Sequence, residues 1–109
     1  MGQDGVAGSR AGEDEAALIA STEQVFELPR PYFVGSGNRH RHAVFVKEAL
    51  LASGCRIGAS LALLSRLIGL NASTASRRHD SARLRLQNDE NFSTKVSLVV
   101  KQYHGNKCN

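Results

Sequence analysis

Tryptophan is absent, proline and cysteine occur twice each, and aromatic residues make up only 6% of the 109 positions. A core must then come mainly from Leu, Val, Ile and Ala. The 41% hydrophobic content supplies enough of these for one small domain without a metal or disulfide staple. Cys55 and Cys108 stand far apart with no CxxC pair, which argues against a zinc ribbon or a redox motif and fits reduced thiols. No segment approaches the roughly 20 apolar residues of a membrane helix. The opening MGQDGVAGSRAGEDEAAL lacks the basic start and apolar run of a signal peptide. The expected location is the cytoplasm, with no membrane partner.

Catalytic signatures are also missing. Ser73, Ser76, His79, Asp80 and Ser81 are triad ingredients, but immediate neighbours on a helix point in different directions and no strand-to-helix elbow presents a nucleophile. Neither a Walker loop nor a Rossmann fingerprint occurs. His40, His42, His104 and Cys108 could ligate a metal, yet they do not form two spaced pairs. The chain is therefore expected to be non-enzymatic, with no metal and no cofactor.

Charge is divided unevenly along the chain. Residues 1–30 carry six acids against Arg10 and Arg30, a balance of −4, whereas residues 31–109 carry twelve Lys or Arg against four acids, a balance of +8. A basic unit behind an acidic arm suits a polyanion, because cations placed on phosphates release condensed counterions.

Residues 1 to about 12, rich in Gly and Asp and without apolar period, read as disordered. Glu13 to Ala20 has room for one or two helical turns. From Ser21 to Gly37, Pro29, Pro31 and Gly35-Ser36-Gly37 read as a linker, with Tyr32, Phe33 and Val34 tucked against the domain. A first main helix is expected from about Arg39 to Ala52, ended by Ser53-Gly54. Ser60 caps a second, in which Leu61, Leu64 and Leu67 or Ile68 recur at helical spacing. Gly69 allows a sharp turn, and Asn71 or Ser73 caps a third helix over about Ala72 to Gln87. Its inward stripe is Ala75, His79, Ala82 and Leu86, with Thr74, Arg77, Arg78, Ser81 and Arg85 on the opposite side. Asn88-Asp89 then caps a fourth helix with the stripe Phe92, Val96, Val99, Val100 and Tyr103, and the tail from His104 is expected to fray.

A short helix, a glycine turn and a longer basic helix together read as a helix-turn-helix. In that unit the second helix enters the DNA major groove amino end first. Ser73, Thr74 and Asn71 at its start then face base edges or phosphates, Arg77, Arg78 and Ser81 follow about a turn later, and Arg66 flanks the turn. Arg39 and Arg41, in the run Asn38-Arg39-His40-Arg41-His42, put positive charge where an adjacent minor groove would lie. The expected partner is double-stranded DNA. A competing reading is a protein-interaction module that uses the acidic arm or the basic helix face.

The order of features from Arg39 to Tyr103 resembles the carboxy-terminal DNA-binding domain, domain IV, of the bacterial replication initiator DnaA, with its Trp-repressor-like helix-turn-helix. The features are a basic lead-in at Arg39, Lys47-Glu48 in the first helix, Ser60-Leu61 opening the second, and Gly69 at the turn. Ser73-Thr74 then begins the recognition helix, and Asn88-Asp89-Glu90 precedes the brace. The resemblance implies base contacts from Ser73 and Thr74, a minor-groove role for Arg39, and use as a transcription or replication regulator. Where that family carries Arg-Asp-His, this chain reads Leu70, Asn71 and Ala72, which implies a different target sequence. The expected architecture is all-α, with four main helices: a flexible acidic arm and linker over 1–37 and a helix-turn-helix domain over 38–109.

Overall fold

The computed structural model describes residues 15–35 and 40–108, with side chains as far as Gly105. Six helical segments and no strand occur among them, so the chain is all-α. They are α1 (residues 15–26), α2 (Arg30–Phe33), α3 (Arg41–Arg56), α4 (Leu61–Leu67), α5 (Ala72–Asn88) and α6 (Glu90–Cys108). None of the described helices is long and apolar enough to cross a membrane.

Helix α3 is the axis of the fold because its apolar residues run almost all round it. Ala43, Val46, Ala49, Leu50, Leu51 and Ala52 are buried, and α2, α4, α5 and α6 all pack on it. A helix with apolar residues on most of its sides has to be enclosed by its neighbours. On one side Leu50, Leu51 and Val46 meet Leu18 and Ile19 of α1, Phe33 of α2, Leu64 and Ile68, and Val99 and Tyr103 of α6. On the other, Ala49 and Ala52 meet Ala82 of α5 with Phe92 and Val96 of α6. The alanines at this second contact let α3 and α5 approach closely, since interaxial distance follows side-chain size.

Capping fixes where the later helices begin. Ser60 Oγ accepts from Leu63 N at 3.1 Å at the head of α4, and Asn71 Oδ1 accepts from Thr74 N at 2.8 Å at the head of α5. Asp89 Oδ1 accepts from Phe92 N at 3.1 Å where α6 starts. Each bond satisfies an amide that the helix itself cannot. Between α4 and α5, Gly69 takes φ +72, and a Cβ there would lie 2.9 Å from Gly35 Cα. Gly35 N also donates to Ile68 O at 2.8 Å, which pins the turn to the segment after α2.

Three expectations about helix limits are corrected. The arm and linker expected over 1–37, with one or two helical turns over Glu13 to Ala20, instead hold α1 as far as residue 26 and α2 after it; Leu18 and Ile19 are buried in the core, as is Phe33, expected to tuck against the domain. The buried hydroxyls of α1 are satisfied within the helix, Ser21 Oγ donating to Ala17 O at 2.7 Å and Thr22 Oγ1 to Leu18 O at 2.9 Å. Pro29 and Pro31 start a helical turn rather than a linker, as proline suits a first turn whose amides are unpaired. Ser53-Gly54 does not end α3, which runs on to Arg56. Ser53 Oγ donates to Ala49 O at 2.7 Å, and Gly54 gives room to Leu64, whose Cδ1 would be 2.8 Å from an added Cβ. The segment after His104 continues the helix to Cys108 instead of fraying. The expected disorder of residues 1–12 and the linker residues Ser36 and Gly37 lie outside the described residues.

Candidate nucleic-acid interface

The α4–turn–α5 unit presents the start of α5 to solvent. Ala75 and Ala82 are fully buried against the body of the fold, which sets the rotation of the helix, while Asn71, Ala72, Ser73, Ser76 and Arg77 are exposed. Thr74 and Ser81 are half-buried beside that face. Asn71 gives its side-chain carbonyl to the cap, so that oxygen is engaged within the helix. Arg66, exposed in the last turn of α4, borders a surface depression that also includes Leu70 and Ala72, next to the start of α5.

Arg78 and Arg85 sit differently from the expected outward array. They project toward α3, where Arg85 Nε donates to Glu48 Oε1 at 2.6 Å and Arg78 Nη1 donates to Glu48 Oε2 at 3.1 Å. The spacing explains this correction, because positions 78 and 85 follow the buried 75 and 82 by three residues and so flank the packed stripe. Glu48 is fully buried, whereas both arginine side chains are 38% exposed. One carboxylate thus orients two guanidinium groups that still reach water. With two cations on one anion, the cluster keeps a net positive charge.

Lys47 adds to that charge. It is buried, and its ammonium is held below the ordinary value of 10.5, first by desolvation and then by the charge of Arg78. Cys55 is half-buried, and burial raises its thiol above 9.0, which works against a reactive thiolate. No group of three His, Cys, Asp or Glu that could hold a metal ion stands together among the described residues.

At the other end of α3, His40 caps the helix through Nδ1, which accepts from His42 N at 3.1 Å, and Arg41 is exposed in the first turn. His42 lies among Phe26, Tyr32 and Phe45, its ring 5.8 Å from that of Tyr32 and 6.3 Å from that of Phe45. Arg39 lies outside the described residues. The arrangement therefore brings Ser73, Thr74 and Arg77 together at the start of α5 with Arg66 nearby, and sets Arg41 on the same groove as Arg85.

Sequence reasoning missed Glu48. Its signal was a charged pair, Lys47-Glu48, inside the otherwise apolar run from Ala43 to Ala52, and a buried carboxylate requires partners. Comparison with protein-family models, with curated proteins and with solved structures finds no match to this chain.

Proposed function

We propose that the chain is a double-stranded DNA-binding protein in which α4, the Gly69 turn and α5 act as a helix-turn-helix of the DnaA domain IV type. On this reading α5 enters the major groove amino end first, and the protein serves as a transcription or replication regulator. The observation that carries the reading is the exposed face at the start of α5. Ser73 and Arg77 are exposed there, on a helix that buries Ala75 and is fixed to α3 by Ala82 and the Glu48 clamp. A reading helix has to be held rigidly by elements that do not touch the DNA.

Ser73 and Thr74 would contact base edges or phosphate, and Arg77 would contact base or backbone. Arg66 and Arg41 would lie on flanking phosphates. Arg78 and Arg85 offer phosphate the nitrogens not given to Glu48, so their first role is orientation. Selection from a random duplex library with the full chain tests the reading. Enrichment of a sequence, with affinity that falls as salt rises, supports it, and neither would be seen if α5 served another purpose.

A second reading, protein docking on the same helix, is favoured by Leu84, which is 62% exposed on α5. A DNA footprint confined to the first half of α5 leaves this leucine uncovered.

A further inference from the structure

We propose that the open groove framed by the end of α1, the start of α3, and α5 and α6 is a phosphate subsite, taking the backbone of a nucleic acid beyond the part that the start of α5 contacts. The inference rests on the DNA-binding reading and extends its contact surface from the far half of α5 to the start of α3 and to α6. The groove brings together Arg41 from α3, Arg85 from α5 and Lys95 from α6, with Phe26 and Phe45 in its wall. Glu27 is the only acid lining it among the described residues. Three cations from three separate helices thus share one concave surface, opposed by Glu27 at its rim and by the buried Glu48 behind Arg85, and the surplus of positive charge attracts an anion.

The aromatic wall holds two of these cations in place. Arg85 Cζ stands 5.5 Å from the Phe45 ring centre and Lys95 Nζ stands 5.7 Å from that of Phe26. Such contacts restrict the long side chains, so less freedom is lost when a phosphate binds. Arg85 commits Nε to Glu48, and its terminal nitrogens are not part of that bond. The same arginine therefore links the groove to the clamp on Arg78, one residue beyond Arg77 on α5.

Glu27 supplies an independent handle. It adopts φ 56, a left-handed conformation that is unfavourable for a residue with a Cβ and that glycine takes readily. This conformation ends α1, with Leu28 N donating to Glu23 O at 3.2 Å, and places the carboxylate at the groove. Removing that charge should improve an anion site, whereas it should be indifferent to a groove with no ligand.

The test uses the full chain and a labelled random-sequence duplex, titrated over a range of salt, with Lys95→Ala, Glu27→Gln and Arg77→Ala compared after thermal melts have established that each is folded. Lys95→Ala is expected to weaken binding severalfold and to reduce the salt slope by about one. Glu27→Gln is expected to tighten binding severalfold. If Arg77→Ala weakens binding while Lys95→Ala and Glu27→Gln leave affinity and slope unchanged, the groove is not a subsite and the DNA reading stands. If none of the three changes anything, the DNA reading and the subsite fall together. Full occupancy of the groove by a free nucleoside monophosphate at micromolar concentration, read from Lys95 and Phe26 chemical shifts, would overturn the assignment to a polymer backbone.

Discussion

Glu48 and Arg85, thirty-seven residues apart in the chain, meet at 2.6 Å with the carboxylate fully buried and the guanidinium 38% exposed. Arg78 shares the same carboxylate, so one acid on α3 fixes two points along α5. Loss of Glu48 would take from Arg78 and Arg85 the carboxylate that they share, beside the buried Lys47. Removing one partner of a buried ion pair costs about 3–5 kcal/mol, and the half-exposed arginines, which can rehydrate, place Glu48→Ala near the low end. Urea unfolding is the measurement. A midpoint unchanged from the parent would show that the clamp does not hold α5.

Gly54 shows a sign that depends on its neighbour. Replacing a glycine inside a helix with alanine ordinarily stabilises by about 1 kcal/mol. Here the added Cβ would meet Leu64, with Cδ1 at 2.8 Å, so Gly54→Ala is expected to destabilise by about 1–3 kcal/mol. In a Leu64→Ala background the conflict is gone and the same substitution should stabilise. A double-mutant cycle by thermal melting reads the reversal, and additive effects would contradict the contact.

Helix α1 belongs to the core through Leu18 and Ile19, which are 2% and 6% exposed. Leu18→Ala is expected to cost about 2–5 kcal/mol, the usual range for emptying a buried leucine site. Removal of residues 1–26 should destabilise the remainder further, by exposing Leu50, Leu51 and Tyr103 of the same cluster. Equal melting temperatures for the truncated and full chains would show that α1 does not contribute to the core.

Lys47 gives stability a dependence on alkaline pH. Because its folded value lies below 10.5, the unfolded chain binds the proton more tightly, and stability rises as pH climbs from the lowered value toward 10.5. Below that window the charged ammonium opposes folding in full. Lys47→Met should therefore be the more stable chain at neutral pH and should lose this part of the alkaline rise. Urea midpoints measured from pH 7 upward provide the check, and parallel curves for the two chains would contradict it.

Much of the packing was legible because helical period is a strong signal in long segments. Leu64, Ile68, Ala75, Ala82, Phe92, Val96, Val99 and Tyr103, read as inward from their spacing, are buried, while His79, Leu86 and Val100 of the same stripes are half-buried. Ser60 and Asn71 cap as their positions suggested. What stayed hidden depends on partners distant in sequence. Glu13 to Ala20 allowed a helical turn or two, but nothing in the sequence shows that Leu18 and Ile19 pack with Leu50 and Val99. Gly54 has the form of a helix stop and serves as clearance for Leu64. Arg78 and Arg85 look like solvated cations until Glu48, 30 and 37 residues earlier, takes them in. At the candidate site, the sequence supplied the exposed start of α5 but could not divide its arginines between outward and clamped.

That division is also where the account is most directly tested. Salt-dependent binding to a duplex selected by the full chain should be measured for Arg77→Ala and Arg78→Ala, each beside its own urea unfolding curve. Arg77→Ala is expected to lose affinity and about one unit of salt slope with stability unchanged, whereas Arg78→Ala is expected to lose stability as well. Unchanged affinity and slope in Arg77→Ala would contradict the assignment of the exposed face of α5 to DNA.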